Sequence, residues 1–142
     1  MGGSTYAGAV TSSSPERFDA GFYRRFYLDP RTRVVTRAEM ARRAEFMAAF
    51  ARHGRQPVRR ILDVGCGLGL MRAPLLRHFP RARYTGLEAS AYLCERHGWE
   101  QGSAATFSAA RPFDLVICHD VLQYLAEREA AAALRNLARL CR

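Results

Sequence analysis

Asp63, Gly65, Gly67 and Gly69 stand at alternate positions, and a second carboxylate, Glu88, follows nineteen residues after the last of these glycines. Glycines so placed let the chain turn sharply and bring bare backbone against a ligand. A carboxylate about 20 residues beyond such a loop suits a ribose, whose two hydroxyls it can accept. The spacing is not that of a dinucleotide loop, because Gly-x-Gly-x-x-Gly would need glycine at position 70, which is Leu70. Asp63 would repel a pyrophosphate and welcome a cationic amino group. No Gly-Lys-Ser/Thr follows, so a Walker loop is excluded as well. Further along, His119 and Asp120 close an apolar run. An imidazole titrates near neutral pH and can serve as a general base, although a lone His at a strand end more often makes a structural contact.

These groups need a scaffold that presents them together. Ile61, Leu62 and Val64 suit a parallel strand buried on both faces. Leu70, Met71, Leu75 and Leu76 follow at helical spacing, with Pro74 near the first turn, where a missing N–H costs least. Arg83–Glu88 reads as a second strand and Phe113–Asp120 as a further buried one. Between them, Ser90 can cap a helix that Gly98 ends, Trp99–Gln101 forms a short third strand, and residues 102–112 are loop-like. A last helix from Glu127 to Cys141 would bury Leu134, Leu137, Leu140 and Cys141.

Upstream, residues 1–14 are small and polar and are expected to be a disordered tail. Residues 15–57 read as an N-terminal helical segment. Ser14 and Pro15 have the form of a helix start, and Phe18, Phe22 and Phe26, with Tyr23 and Tyr27 beside them, make one aromatic face. Packing against the core is the favoured role of that face, and a lid over the site is the functional one. Thr36 and Glu39 form a capping box, Val35 and Met40 can staple it, and the helix would run to His53 with Gly54 as its stop. Met40, Met47 and Phe50 are expected to supply much of its buried face.

The run Ile61-Leu-Asp-Val-Gly-Cys-Gly-Leu-Gly69 resembles motif I of the class I S-adenosylmethionine-dependent methyltransferases. The strand ending at Glu88, and Phe113–Asp120 with Val121-Leu-Gln-Tyr-Leu125, match the motifs that follow it, in the same order. The resemblance covers residues 58–142. It implies an α/β fold, a Rossmann-like and mostly parallel sheet with flanking helices, strands in the order 3-2-1-4, of the usual seven only the first four. It therefore raises the expectation that the sequence is a fragment, with the outer edge of strand 4 uncovered and prone to self-association. It implies S-adenosyl-L-methionine as cofactor, held by Asp63, Gly65, Cys66, Gly67, Gly69, Glu88, Ala89, Ser103 and His119. The family often has Gly-Asp-Ala after its third strand, where the Asp meets the adenine amino group. Here the run is Gly102-Ser103-Ala104, so that contact would carry no charge.

The acceptor implied is a small molecule. Cys118-His119-Asp120-Val121 is not the Asn/Asp-Pro-Pro-Tyr/Phe of base-modifying enzymes, and no Pro-Cys nucleophile is present. A net charge of +9, all of it from arginine, could mark a nucleic-acid surface, but the arginines are scattered and read better as codon bias. Nucleic acid is thus not favoured. The four cysteines match no zinc spacing, so no metal is expected, and they read as reduced, buried thiols. No run approaches the ~20 apolar residues of a membrane span, and no signal peptide is legible, so a cytoplasmic location is the default. The alternatives weighed are a non-catalytic cofactor-binding or interaction module left by truncation, and a nucleotide-dependent oxidoreductase, which Leu70 and Asp63 oppose.

Overall fold

The computed structural model describes residues 18–142; the tail at 1–14 and the helix start at Ser14 and Pro15 lie outside them. Four parallel strands, β1 (Arg60–Val64), β2 (Arg83–Glu88), β3 (Glu100–Gln101) and β4 (Leu115–Cys118), form one sheet in the order β3-β2-β1-β4. That is the expected order. In register, Asp63 lies beside Gly86 and Ile117, and Val64 beside Leu87 and Cys118.

Alternate β1 residues serve two cores, as the period of a strand requires. Ile61 joins a cluster with Val35, Met40, Leu75 and Phe79, beneath helices α2 (Arg37–His53) and α3 (Arg72–His78). Leu62 and Val64 join Leu87, Phe113, Leu137 and Leu140 on the other face, under α5 (Glu127–Leu140). α4 (Ala91–His97) follows β2, capped by Ser90 and ended by Gly98 at φ +70°. The Thr36 side chain and the Glu39 carboxylate close a capping box on α2, with Val35 and Met40 buried together beside it. α1 (Ala20–Tyr23) starts at Asp19, whose carboxylate accepts from Phe22 N, and continues as a π-helical turn over Arg24–Leu28.

Several expectations need correction. Phe50 is 73% exposed and Phe46 lies outside with it, because α2 turns Met40, Ala44, Ala48 and Ala51 to the core, with Met47 partly buried beside them. In α5 the buried stripe is Ala133, Asn136, Leu137 and Leu140, so Leu134 and Cys141 are exposed. Asn136 is buried because its amide donates to Ala104 O and Phe107 O, both at 2.9 Å, which ties the loop after β3 to α5. α3 begins later than the spacing suggested, at Arg72, which puts Pro74 third in the helix. The outer edge of β4 is not wholly bare. Phe113 N donates to Leu140 O and Arg142 N to Phe113 O, so Cys141 makes a single parallel bridge there. No described helix is long and apolar enough to cross a membrane.

Candidate functional site

A cavity of about 350 Å³ opens at the C-terminal ends of the strands, a size that suits a small-molecule site. Such sheets bind ligands at this edge, where the strand order reverses between β2 and β1 on one side and β4 on the other. Its inner wall comes from the loop after β1 and the end of β2. Gln101–Ala104 close one side. The segment around α1 supplies Phe18, Phe22, Tyr23 and Tyr27, and the turn after β4 supplies Asp120, Val121, Tyr124 and Leu125.

Glu88 is the anchor of the inner wall. Its carboxylate is 5% exposed and lines the cavity. Oε2 accepts from Gly67 N at 2.9 Å, and Oε1 from Ala89 N at 2.9 Å and Ser90 N at 3.0 Å. The Tyr23 hydroxyl reaches Oε1 from the opposite wall at 3.5 Å. Backbone donors of this kind hold a carboxylate in one orientation and leave lone pairs for a ligand hydroxyl. They also answer the dinucleotide reading: the loop amide at Gly67 is already given to a carboxylate rather than held open for a phosphate.

The glycines prove to have different reasons. Gly67 faces the cavity, and a Cβ there would meet only Gly65 O and Tyr23 Cε1, each at 3.9 Å. At Gly65 a Cβ would lie 2.3 Å from Val121 Cγ2. Gly69 lines neither this cavity nor its neighbour. Trp99 packs on it, 2.6 Å from where a Cβ would stand, and its φ is +67°, so packing and backbone both call for glycine there. The Trp99 indole N–H donates to Gly67 O at 2.9 Å and so supports the loop from beneath.

A smaller hollow of about 40 Å³ adjoins the cavity, sharing Gly65, Gly67, Tyr27 and Asp120 with it. Asp63, Cys66 and His119 line this hollow and not the larger space. Burial pushes Asp63 up to about 6, against the hydrogen bond it accepts from the Tyr84 hydroxyl at 2.5 Å. Burial, with Asp63 and Glu88 nearby, drives the Cys66 thiol upward, so it stays protonated. His119 Nδ1 lies 3.2 Å from Asp120 Oδ2. Burial holds its imidazole below the ordinary value, more strongly than Asp120 raises it.

The larger cavity thus gathers Gly65, Gly67, Glu88, Ala89 and Ser103. Ser103 Oγ accepts from Ala105 N at 3.2 Å and so braces its own turn. Asp120 is shared by both spaces and takes a left-handed backbone, φ +56°, which sequence reasoning did not anticipate. Tyr84 and Trp99 were missed too. The available signal was the alternation Tyr84-x-Gly86-x-Glu88 on β2, one face of which meets Asp63 in register.

Comparison with known proteins gives a consistent picture. Residues 62–142, more than half of the chain, match the profile of a family described as a methyltransferase domain. A trans-aconitate 2-methyltransferase of Pseudomonas paraeruginosa is 33% identical over 88 residues, covering 57% of this chain and 32% of that protein. One from Deinococcus radiodurans is 33% identical over 93 residues, covering 60% and 33%. An amino pentose methyltransferase from Micromonospora echinaspora, solved with S-adenosylmethionine bound, superposes with a TM-score of 0.63 at 26% identity, covering 72% of this chain and 47% of that one. A sugar N-methyltransferase from Streptoalloteichus sp gives 0.62 at 27% identity, covering 100% and 55%. The chain therefore spans about a third of those curated relatives and about half of those solved chains.

Proposed function

Because the chain belongs to the class I S-adenosylmethionine-dependent methyltransferase family, we propose that it binds S-adenosylmethionine in this cleft for methyl transfer to a small-molecule acceptor. The observation that carries the reading is the convergence of the glycine loop and the Glu88 carboxylate on one wall of the cavity. The residues present fit the group. Gly67 leaves room for a ligand against bare backbone, and Glu88 offers the ribose diol a fixed acceptor. Asp63, in the adjoining hollow, suits the ammonium of the methionine end. Ser103 would meet the adenine side without charge.

When bound, the cofactor supplies an electrophilic methyl on a sulfonium. The chain's own contribution is alignment, and effective molarities for aligned reactants reach ~10⁵ M or more. The aromatic residues Phe18, Phe22, Tyr23 and Tyr27 line the cavity opposite Glu88, which supports a lid role for this segment. His119 has the protonation state of a general base, but it lines the smaller hollow, so a base role requires the acceptor to approach from that side. The relatives' acceptors include an acid and amino sugars by their names, which supports a small molecule without choosing among these classes. Nucleic acid remains disfavoured on the motif evidence, and a cytoplasmic setting suits such an acceptor. Along Leu115–Cys118 the outer edge of β4 is open among the described residues, and self-association through it is part of the proposal, to be read by light scattering.

Calorimetry with S-adenosylhomocysteine and with NAD tests the core of this reading. Binding of the first and not the second is expected, and Gly67→Val should abolish it. NAD binding, or unchanged affinity in the variant, would remove the loop from the site.

A further inference from the structure

The Asp63 carboxylate is 5% exposed, yet among the described residues no cation offsets its burial: only the Tyr84 hydroxyl opposes the upward push of burial and Glu88. The smaller hollow is lined by Tyr27, Cys66, His119 and Asp120 among others, and by no arginine, in a chain that has 22 basic residues. A buried carboxylate without a countercharge is costly, and it persists where a ligand brings the missing charge. Oδ2 takes the Tyr84 hydroxyl at 2.5 Å, the side-chain hydrogen bond that Asp63 makes among the described residues.

Tyr84 is itself fixed. Its ring lies 6.0 Å from that of Trp99, and the Arg72 guanidinium stands 6.0 Å above it. Trp99 in turn holds Gly67 O. Burial and the neighbouring Asp63 keep the phenol protonated, so it can only donate to the carboxylate. Register places Tyr84 beside Ile61 on β1, two residues before Asp63, which lets the hydroxyl reach forward along the sheet.

We propose that Tyr84 is a positioning residue for the cofactor's amino-acid end: its hydroxyl fixes the Asp63 carboxylate that meets the ligand ammonium. This rests on the methyltransferase reading above. Tyr84 touches no reacting atom. It sets the rotamer of the carboxylate that does the binding, and through Trp99 it couples that rotamer to the glycine loop.

The test compares two ligands that share a nucleoside. S-adenosylhomocysteine carries the ammonium; 5′-methylthioadenosine lacks the amino-acid end. Binding is followed by the fluorescence of Trp99, the chain's one tryptophan, and by calorimetry. Tyr84→Phe should weaken S-adenosylhomocysteine about tenfold, the scale of one hydrogen bond to a charged group, and change methylthioadenosine less than twofold. In an Asp63→Asn background, where no charge remains to be held, the same substitution should change the ratio of affinities less than twofold. An equal fall for both ligands would show Tyr84 to be merely structural and overturn the proposal, as would an unchanged ratio in the single variant. The double variant guards against misfolding of the single one: a full tenfold change persisting there overturns the proposal too. If the unsubstituted chain binds neither ligand, the methyltransferase reading fails and the proposal falls with it.

Discussion

The wall of the cavity built by residues 63–90 is held by directional bonds, whereas the wall facing it, from Phe18–Tyr27 and Val121–Leu125, is held by surface contact. On the first, Gly67 N, Ala89 N and Ser90 N converge on Glu88, the Leu87 carbonyl accepts from Gly65 N at 2.8 Å, and Tyr84 holds Asp63. On the second, Phe18 meets Tyr124 edge-on at 5.4 Å, and Phe22 meets Tyr23, Phe26 and Tyr27 at 5.0–6.2 Å. Hydrogen bonds set position to within fractions of an ångström, while ring contacts tolerate sliding. The comparison assigns recognition of polar groups to the first wall and enclosure to the second. The walls are tied by Ser90 Oγ donating to Phe18 O at 2.6 Å, by Tyr23 on Glu88, and by Val121 packed onto Gly65.

That last contact gives the largest expected effect. Gly65→Ala places a methyl 2.3 Å from Val121 Cγ2 at a left-handed φ of +65°. Overpacking costs about 1–3 kcal/mol and the backbone about 1 more, so a loss of about 2–4 kcal/mol is expected in urea denaturation. Adding Val121→Ala should restore the packing part and leave the backbone part. A variant within about 0.5 kcal/mol of the parent, the range of an ordinary surface substitution, would mean that the walls do not meet there.

Glu88→Ala probes the directional wall alone. Hydrogen bonds to a charged group contribute about 1.5–3 kcal/mol, so S-adenosylhomocysteine should bind about ten- to a hundredfold more weakly. The variant also strands the N–H groups of Gly67, Ala89 and Ser90, so some stability is lost along with affinity. A change under twofold, with circular dichroism intact, would hand the ribose to another residue.

Asp63 should behave in the opposite sense. Its folded value, about 6, lies above the usual 3.8 because burial penalises the charge. The folded state therefore binds this proton more tightly than the unfolded chain does. The stability linked to it is fully present below pH ~4 and is lost as pH rises through ~6. Asp63→Asn removes the penalty and keeps an acceptor for Tyr84. It should gain on the order of 3 kcal/mol at pH 7.5 and nothing at pH 4, while losing affinity for S-adenosylhomocysteine. Urea melts at the two pH values check this, and equal gains at both would locate the effect elsewhere.

The directional wall was also the legible one, for a physical reason. Strand bounds at 83–88, the Ser90 cap, the Gly98 stop and the Glu88 carboxylate all rest on short-range signals, each contained within a few residues. What escaped was nonlocal or ambiguous in phase. The packing on Gly69 comes from Trp99, thirty residues on. Tyr84 meets Asp63 only across the sheet. Helices rich in Ala and Arg with apolar residues on two sides do not declare which side is buried, and so Phe50 and Leu134 were assigned inward. After β4, the left-handed turn at Asp120 decides which side chain reaches the larger cavity, and it turned out to be Asp120 rather than His119.

Tyr23 joins the two walls by its ring and by its hydroxyl, and the two can be separated. The ring is buried, at 5% exposure, against Gly67 and Tyr27. The hydroxyl stands 3.5 Å from Glu88 Oε1, at the outer limit of a hydrogen bond, and Glu88 already has three backbone donors. Burial, with Glu88 beside it, keeps the phenol protonated, so no charge is at stake. Tyr23→Phe is therefore the smallest of these effects, under about 0.5 kcal/mol in stability and under threefold in S-adenosylhomocysteine affinity. Tyr23→Ala removes the enclosing surface and should cost about 2 kcal/mol or more, below the full 3–5 of a core aromatic because α1 is a single turn that can shift. Denaturation and calorimetry on the pair measure the ratio. If Phe costs as much as Ala, the enclosing wall also works through a directed bond, and the contrast between the two walls fails at the point where they touch.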